Sequence, residues 1–293
     1  MRVTIIGTGE LGSAIAHAVR MGDHTLALWD ATPAKPRTHA TCEEALAMAE
    51  LVFVCVPSGG LQSALEMIES CTPGKASVCI ATKGIDKDQL PNEWASQILL
   101  KHCAWGVLGG ACIAEEVRVG MPTMLIVGSD ERRVANDVRT SLAGAGISVS
   151  WTTHSDIVAR RNALKNVYAI GISAVRACAG WNAAGLASAC AIHEMDIYAP
   201  ARDDHALFST SIADLIATAF SGDTGHARIG RALVDGEEVS PDSEGIRALL
   251  YMKASAQQAH VHLPFLQCIA AVYEGEKGPE ALVSVVLQAH ASR

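Results

Sequence analysis

A lysine between two carboxamides interrupts an apolar, helix-forming stretch near the middle of the chain. The stretch reads RNALKNVYAIGIS, and its polar side chains include Asn162, Lys165 and Asn166. On a helix these three fall along one edge, because residues three and four apart are neighbours. A lysine on the surface needs no explanation. A lysine that faces the interior must hold its charge against desolvation or serve as an acid.

A glycine-rich turn near residue 10 has the spacing of a phosphate-binding loop. RVTIIGTGELGSAIA predicts a strand, then Gly7-x-Gly9-x-x-Gly12, then a helix. The glycines let the backbone turn tightly and approach a pyrophosphate, which the helix N-terminus attracts. The alternative is a tight strand-to-helix turn that binds no nucleotide. We expect a dinucleotide site that includes Gly7, Gly9, Glu10, Leu11 and Gly12.

A carboxylate follows the second predicted strand. TLALWD ends in Asp30, about twenty residues beyond the glycines, where it would accept hydrogen bonds from the adenosine ribose. A carboxylate there also repels a 2'-phosphate, so the pattern favours NAD over NADP as the cofactor. Lys35 and Arg37 are either solvated loop charges or groups that offset this repulsion.

The apolar pattern divides the chain into two parts. Up to about Thr153, short β-rich runs alternate with Ala-rich helical segments, which indicates a parallel sheet covered on both faces. Beyond that residue the apolar positions keep helical spacing, and clusters of Gly, Pro and Asp separate the helical segments. The predicted fold class is α/β: a Rossmann-type, doubly wound domain over residues 1–153 and an all-helical domain over residues 154–293.

Composition excludes several classes of partner. The net charge of -8 gives no field that would attract nucleic acid. We expect no signal peptide, because Gly and Glu interrupt the apolar start and no basic region followed by a cleavage site is present. We expect no membrane insertion, because no apolar segment reaches the length of about 18 residues that a spanning helix needs. The nine cysteines are odd in number and form no CxxC, as expected of reduced thiols in a cytoplasmic protein. His260 and His262 lack a third ligand at suitable spacing, so no metal is expected.

Six sequence blocks, in this order, resemble those of the NAD(P)-dependent glycerol-3-phosphate dehydrogenase family. They are VPS from Val56, ATKG from Ala81, EEVRVGMPT from Glu115, ALKNVYAIG from Ala163, ADLIATAF from Ala213 and SEGIRALLYMKASAQQ from Ser243. The resemblance covers essentially the whole chain, and the ALKN block is its most specific part. It implies a dinucleotide-binding domain followed by a helical domain of the 6-phosphogluconate dehydrogenase-like type, and it implies a homodimer.

The same resemblance assigns roles to individual residues. It implies that Lys165 is the catalytic acid/base, with Asp214 and Thr218 beside it, and that Lys83 helps to hold the substrate. Hydride reduction of a ketone leaves a developing alkoxide, and an ammonium group stabilises that charge and donates the proton. Asn166 is expected to bind the substrate. Pro57 and Ser58 of the VPS block are expected at the cofactor.

One segment departs from the family pattern. Bacterial members carry an S-R-N-R-type loop whose Arg and Asn hold the substrate phosphate, whereas this chain reads DTGHARIG, with Gly225 and His226 at those positions. Loss of a bidentate guanidinium weakens the anion site unless His226 or Arg228 replaces it. The expected substrate pair is dihydroxyacetone phosphate and sn-glycerol 3-phosphate, or a close phosphate or phosphonate analogue. The alternatives are a reductase of a small 2-keto or β-hydroxy acid, in which His226 and Arg228 hold a carboxylate, and a non-catalytic NAD(H)-binding sensor.

Overall fold

The computed structural model describes residues 1–72, 74–100, 103–222 and 224–291. Asp223, the first residue of the DTGHARIG stretch, lies outside these ranges. The chain forms two compact units, Met1–Ala159 (unit 1) and Arg160–Arg293 (unit 2).

Unit 1 is built on a seven-stranded sheet in the order β2-β1-β3-β4-β5-β6-β7. The strands are β1 Arg2–Ile6, β2 Thr25–Trp29, β3 Leu51–Val54, β4 Ser77–Ile80, β5 Ala104–Gly110, β6 Thr123–Gly128 and β7 Ile147–Thr152. Each coincides with an apolar run that the sequence marks as a strand. The order places β1 second from one edge of the sheet, with β2 on one side and β3 on the other, so the chain reverses direction across the sheet at β1.

Helices cover both faces of this sheet. They are α1 Glu10–Arg20, α2 Cys42–Leu46, α3 Leu61–Cys71, α4 Pro91–Ile98, α5 Ala114–Arg118 and α6 Arg132–Ser141, with a short 3₁₀ turn at Ser58–Gly60 before α3. Successive strand residues point to opposite faces. Ile5 accordingly packs in a cluster with Val19 and Val134, while Ile6 packs in a second cluster with Leu46 and Leu65. The two clusters are the two layers of core that a doubly wound sheet requires.

One strand pair differs from the all-parallel arrangement that the apolar pattern predicts. β6 runs antiparallel to β5, with Val107 opposite Gly128 and Gly110 opposite Leu125. A parallel neighbour needs a long crossover connection, whereas the segment between these strands holds only the short helix α5. All other neighbouring strands are parallel.

All regular secondary structure in the described part of unit 2 is helical. Its helices are α7 Ser155–Tyr198, which begins in unit 1, then α8 His205–Phe220, α9 Gly225–Asp235, α10 Glu244–Gln258, α11 Pro264–Tyr273 and α12 Glu280–Ala291. α7 is interrupted at Gly180, whose φ of 77° lies in the left-handed region that glycine tolerates.

The side chain of Glu194 caps a helix far away in the sequence. Its buried carboxylate accepts hydrogen bonds from the backbone N–H groups of Phe265 at 2.7 Å and Leu266 at 3.0 Å. The Tyr168 hydroxyl donates to the same carboxylate at 2.8 Å. α11 begins with a proline and has free N–H groups in its first turn, so Glu194 satisfies donors that would otherwise be buried without partners.

The described residues hold neither a membrane-spanning helix nor a cluster of metal ligands. None of the helices there is long and apolar enough to cross a membrane. Within the same ranges, no group of three or more His, Cys, Asp or Glu side chains could hold a metal ion.

Candidate active site

The turn between β1 and α1 is closed at two of its glycines and open at the third. A Cβ on Gly7, whose φ is +90°, would lie 2.7 Å from the carbonyl carbon of Cys55, and a Cβ on Gly12 would lie 1.9 Å from the carbonyl oxygen of Gly7. At Gly9 no described atom lies within 4 Å of the corresponding position. Gly9 therefore exposes backbone at the N-terminus of α1, where free N–H groups and the helix dipole favour a phosphate.

Asp30 is tied to this turn by its own carboxylate. Oδ2 accepts a hydrogen bond from the Thr8 backbone N–H at 2.7 Å, and Oδ1 accepts one from the Thr32 backbone N–H at 2.8 Å. Desolvation, the largest single influence, raises the pKa of Asp30, but the hydrogen bonds from Thr32 and Thr8 outweigh it and leave the pKa below its usual value. The side chain is therefore ionised at neutral pH. A carboxylate has about four acceptor positions, so it retains capacity for a ribose hydroxyl.

The other predicted cofactor residues also follow the carboxyl ends of β1 and β3, which are neighbours in the sheet. Glu10 is the first residue of α1 and forms an ion pair with Arg118 at 2.7 Å. Leu11 is partly buried against the core. Pro57 is exposed and Ser58 is buried at the start of the 3₁₀ turn.

Lys83 lies just beyond β4, the next strand in the sheet. Its Nζ donates a hydrogen bond to the carbonyl oxygen of Gly110, at the end of β5, at 3.0 Å. The preceding residue, Thr82, donates its hydroxyl to the Val56 carbonyl at 2.8 Å. The side chain of Lys83 is partly buried, and these bonds fix it at the same edge of the sheet as the glycine turn.

Lys165 is buried, so the interpretation as a surface lysine is wrong. The residue is 7% exposed. Its Nζ donates to Asp214 Oδ1 at 2.7 Å and to Thr218 Oγ1 at 3.2 Å. Asp214 and Thr218 lie one turn apart on α8 and meet the same nitrogen. An ammonium with a carboxylate on one side can be held charged inside the protein, as an acid requires.

His226 lies near this ion pair, in the first turn of α9. Burial lowers the pKa of His226 to about 4, with the charge of Lys165 lowering it further and that of Asp214 opposing the shift. The imidazole is therefore neutral at pH 7. Its ring fits beside Gly245, where an added Cβ would lie only 3.2 Å from the ring atom Cδ2. His226 can donate or accept a hydrogen bond here, but it brings no positive charge.

The remaining predicted substrate residues lie on the same helices. Asn166 is buried, and its Nδ2 donates to Glu244 Oε1, in the first turn of α10, at 3.2 Å. Gly225 is the first residue of α9 and is exposed, and Arg228 is exposed one turn further along. The hydroxyl of Thr224 caps α9 by accepting from the backbone N–H of Ala227 at 3.1 Å.

Three residues of these clusters are not identified by sequence reasoning. Thr8 binds Asp30, Glu244 binds Asn166, and Arg161 packs one turn before Lys165 on α7. Thr8 lies inside the glycine motif and Glu244 lies inside the block SEGIRALLYMKASAQQ. Their positions in these motifs are a signal by which the sequence could have identified them. Arg161 carries no such signal, because a charged residue in a helix is most often solvated.

Fold and residues together define a class of protein: a two-unit dehydrogenase with a glycine turn at the first strand of a doubly wound sheet and a buried lysine–aspartate pair on a helical unit. The model of the NAD-dependent glycerol-3-phosphate dehydrogenase N-terminus matches residues 32–135, and the model of the C-terminus of the same enzymes matches residues 158–284. The chain belongs to the NAD-dependent glycerol-3-phosphate dehydrogenase family, and it is an NAD(P)-dependent oxidoreductase that acts on CH–OH groups.

Individual proteins agree with the family match. A glycerol-3-phosphate dehydrogenase (NAD(P)+) of Acinetobacter baumannii is 27% identical over 331 aligned residues, which cover 100% of this chain and 91% of the relative. The crystal structure of glycerol-3-phosphate dehydrogenase from Coxiella burnetii has a TM-score of 0.81 at 20% identity, with 98% of each chain covered. A ketopantoate reductase from Ralstonia eutropha shares the fold less closely, with a TM-score of 0.57 at 16% identity, over 98% of this chain and 100% of that one. The comparisons thus do not favour a keto-acid reductase.

Proposed function

We propose that the protein catalyses the reversible reduction of dihydroxyacetone phosphate to sn-glycerol 3-phosphate with NADH. The observation that carries this proposal is the buried contact of 2.7 Å between Lys165 Nζ and Asp214 Oδ1, with Thr218 on the same nitrogen. A binding protein gains nothing from a buried ammonium of this kind, since it costs desolvation energy. A ketone reductase needs it as the proton donor.

We assign coenzyme binding to the domain of residues 1–153. The pyrophosphate would lie over Gly7, Gly9 and Gly12 at the N-terminus of α1, flanked by Glu10 and Leu11. Pro57 and Ser58 would line the next strand end, and Asp30 would accept a ribose hydroxyl. An ionised Asp30 repels a 2'-phosphate, which supports NAD over NADP. The bound coenzyme supplies the hydride.

The proton is supplied by the domain of residues 154–293. Lys165 donates a proton from Nζ to the carbonyl oxygen of the ketone as that oxygen gains negative charge. Asp214 favours the charged form of the lysine and fixes its direction, and Thr218 accepts a second hydrogen bond from it. In the oxidation direction the neutral amine takes the proton back.

We assign substrate binding to Lys83, Asn166, Gly225, His226 and Arg228. The first turn of α9 offers free backbone N–H groups beginning at Gly225, and a helix N-terminus attracts a phosphate. His226 is neutral at pH 7, so it can contribute only a hydrogen bond to that phosphate. Arg228, one turn further along α9, adds a positive charge. This set takes the place of the Arg-Asn pair that the family pattern predicts.

A substrate panel tests the proposal. Oxidation of NADH is followed by absorbance with dihydroxyacetone phosphate, dihydroxyacetone, a phosphonate analogue, a 2-keto acid and a β-keto acid. Turnover of dihydroxyacetone phosphate or its phosphonate analogue is the expected result. Turnover of a keto acid alone would favour the reductase alternative. Quenching of NADH fluorescence without any turnover would mean a sensor, and either result would refute the proposal.

We also propose that the protein is a homodimer. The family resemblance supports this, and so do large apolar side chains that stay exposed on unit 2, of which Trp181 at 62% and Ile197 at 47% are examples. Such side chains often mark a protein interface. Sedimentation equilibrium should give twice the chain mass of 30.7 kDa, whereas a single chain mass over the whole concentration range would rule the dimer out.

A cytoplasmic location is the last part of the proposal. All nine cysteines are free thiols, which is usual in a reducing compartment. Fractionation of cells that express the tagged chain should recover it with cytoplasmic markers, and recovery with a secreted fraction would contradict this assignment.

A further inference from the structure

We propose that Arg161 is a positioning residue for the reaction: it locks α7 against α8 so that Lys165 and Asp214 keep their hydrogen bond. The inference rests on the proposed function in one respect, namely that Lys165 is the proton donor. Arg161 lies within unit 2, as do all of its partners described below, and its guanidinium donates hydrogen bonds to Ser211 and Ala199.

The guanidinium of Arg161 bonds directly to α8. The side chain has an exposed fraction of 0%. Its Nε donates a hydrogen bond to Ser211 Oγ at 2.7 Å, and its plane lies over the ring of Phe208, with 5.8 Å between the guanidinium carbon and the ring centroid. Ser211 in turn donates its hydroxyl to the carbonyl oxygen of Phe208 at 2.9 Å. Arg161 therefore holds two side chains in the second turn of α8, and Ser211 connects it to the backbone of that turn.

This contact lies one helical turn from the proposed acid. Arg161 is four residues before Lys165 on α7, and Ser211 is three residues before Asp214 on α8, so both pairs lie on the facing sides of the two helices. The pair of Arg161 with Ser211 and the pair of Lys165 with Asp214 form two successive cross-links. A slide of α8 along α7 would lengthen both bonds together. The bond between Arg161 and Ser211 therefore keeps Lys165 and Asp214 at hydrogen-bonding distance.

The other end of the guanidinium is also anchored. Its Nη1 donates to the carbonyl oxygen of Ala199 at 2.6 Å and lies 3.6 Å from Asp196 Oδ1. Asp196 also forms an ion pair with Arg202 and accepts from the backbone N–H of Ala201. Arg161 thus joins the first half of α7, the segment after its end and α8 into one rigid assembly.

Stability alone does not account for this arrangement. A guanidinium that is wholly buried costs desolvation energy, and its Nη2 has no hydrogen-bond partner in the described residues. Apolar residues of similar volume often replace buried ion pairs without loss of stability. Costly local features of this kind are expected where function needs a fixed geometry. The neighbouring group whose orientation matters for the reaction is the Lys165 ammonium.

The first test removes the acceptor and leaves the arginine in place. Ser211→Ala should lower kcat roughly ten-fold while leaving KM for NADH unchanged, because a small displacement of a catalytic group costs rate and not coenzyme binding. Ser211→Thr keeps the hydroxyl and should retain kcat within about two-fold of the original. The control is Tyr198→Phe, which removes another cross-link of α7, the partly buried bond to Ser255 Oγ, and should lower stability without changing kcat.

The second test does not depend on turnover. Competitive acetylation with acetic anhydride, read by mass spectrometry, reports the reactivity of Lys165, with Lys253 of the same unit as internal reference. Ser211→Ala should raise the Lys165 labelling rate at least about five-fold, because the loosened ion pair frees the amine. In the Asp214→Asn background that rise should vanish, since the pair is already broken.

The outcomes separate this inference from the proposed function. If the unaltered protein reduces no ketone, the proposed function fails and the labelling rates alone decide on Arg161. If it does reduce dihydroxyacetone phosphate but Ser211→Ala matches Tyr198→Phe in kcat and in labelling, Arg161 is only structural and the inference is wrong.

Discussion

Replacement of Lys165 by methionine separates the catalytic role of this residue from its role in the fold. Lys165→Met keeps the length of the apolar stem and removes the ammonium, which leaves Asp214 as a buried carboxylate without its cation. At the observed 2.7 Å, two unit charges attract by about 6 kcal/mol in an effective dielectric of about 20. Desolvation offsets part of this, and loss of one partner of a buried pair costs about 3 to 5 kcal/mol of unfolding free energy.

The same substitution removes the proton donor. General acid catalysis contributes about 10²- to 10⁴-fold to a rate, so kcat for ketone reduction should fall by that factor. The dissociation constant for NADH, measured by fluorescence quenching, should stay within about two-fold, because the residues assigned to the coenzyme belong to unit 1.

A double variant then distinguishes the two effects. Lys165→Met combined with Asp214→Asn leaves no unpaired charge, so urea unfolding should show most of the lost stability regained. Its kcat should stay as low as that of the single variant. If the double variant recovers activity together with stability, or if Lys165→Met retains more than about a tenth of kcat, Lys165 is not the acid and the reasoning fails.

The remaining predictions concern Asp30, beside the glycine turn, and the partly buried imidazole of His226. Asp30→Ala should weaken NADH binding by about ten-fold or more, because both the ribose acceptor and the bond to Thr8 are lost. The ratio of NADH affinity to NADPH affinity should also fall. If the unaltered protein binds NADPH more tightly than NADH, this prediction is wrong. His226 has a folded-state pKa of about 4 against an ordinary 6.5, so the unfolded chain binds more protons between these values and stability is lost as pH falls through them. Urea unfolding from pH 7 to 4.5 should show a loss of up to about 1.4 kcal/mol per pH unit that His226→Gln lacks, and equal slopes would show that His226 is not held neutral.

The sequence predicts which segments form strands and helices better than it predicts how those strands and helices pair with one another. Seven apolar runs and the glycine spacing are local signals, and each became a strand or the β1–α1 turn. The direction of β6 is not encoded in its apolar pattern, since either direction buries the same residues. It depends on the connection from β5, whose short helix leaves no room for a crossover.

In the candidate site, too, the sequence predicts local patterns but not contacts between distant residues. The helical spacing of Asp214 and Thr218 is visible in the sequence, and both meet Lys165. The bond from Arg161 to Ser211 joins residues 50 apart, and the cap from Glu194 to Phe265 joins residues 71 apart. Such contacts depend on how the helices pack, and no local pattern of residue types specifies them.

The most direct test of the central claim is the ratio of kcat/KM for dihydroxyacetone phosphate to that for dihydroxyacetone, both with NADH at pH 7. A glycerol-3-phosphate dehydrogenase uses the phosphate as an anchor, and binding energy from a remote charged group of this kind is worth several kcal/mol in the transition state. We therefore expect a ratio of about 100 or more. A ratio near one, or no oxidation of NADH with either ketone, would contradict it.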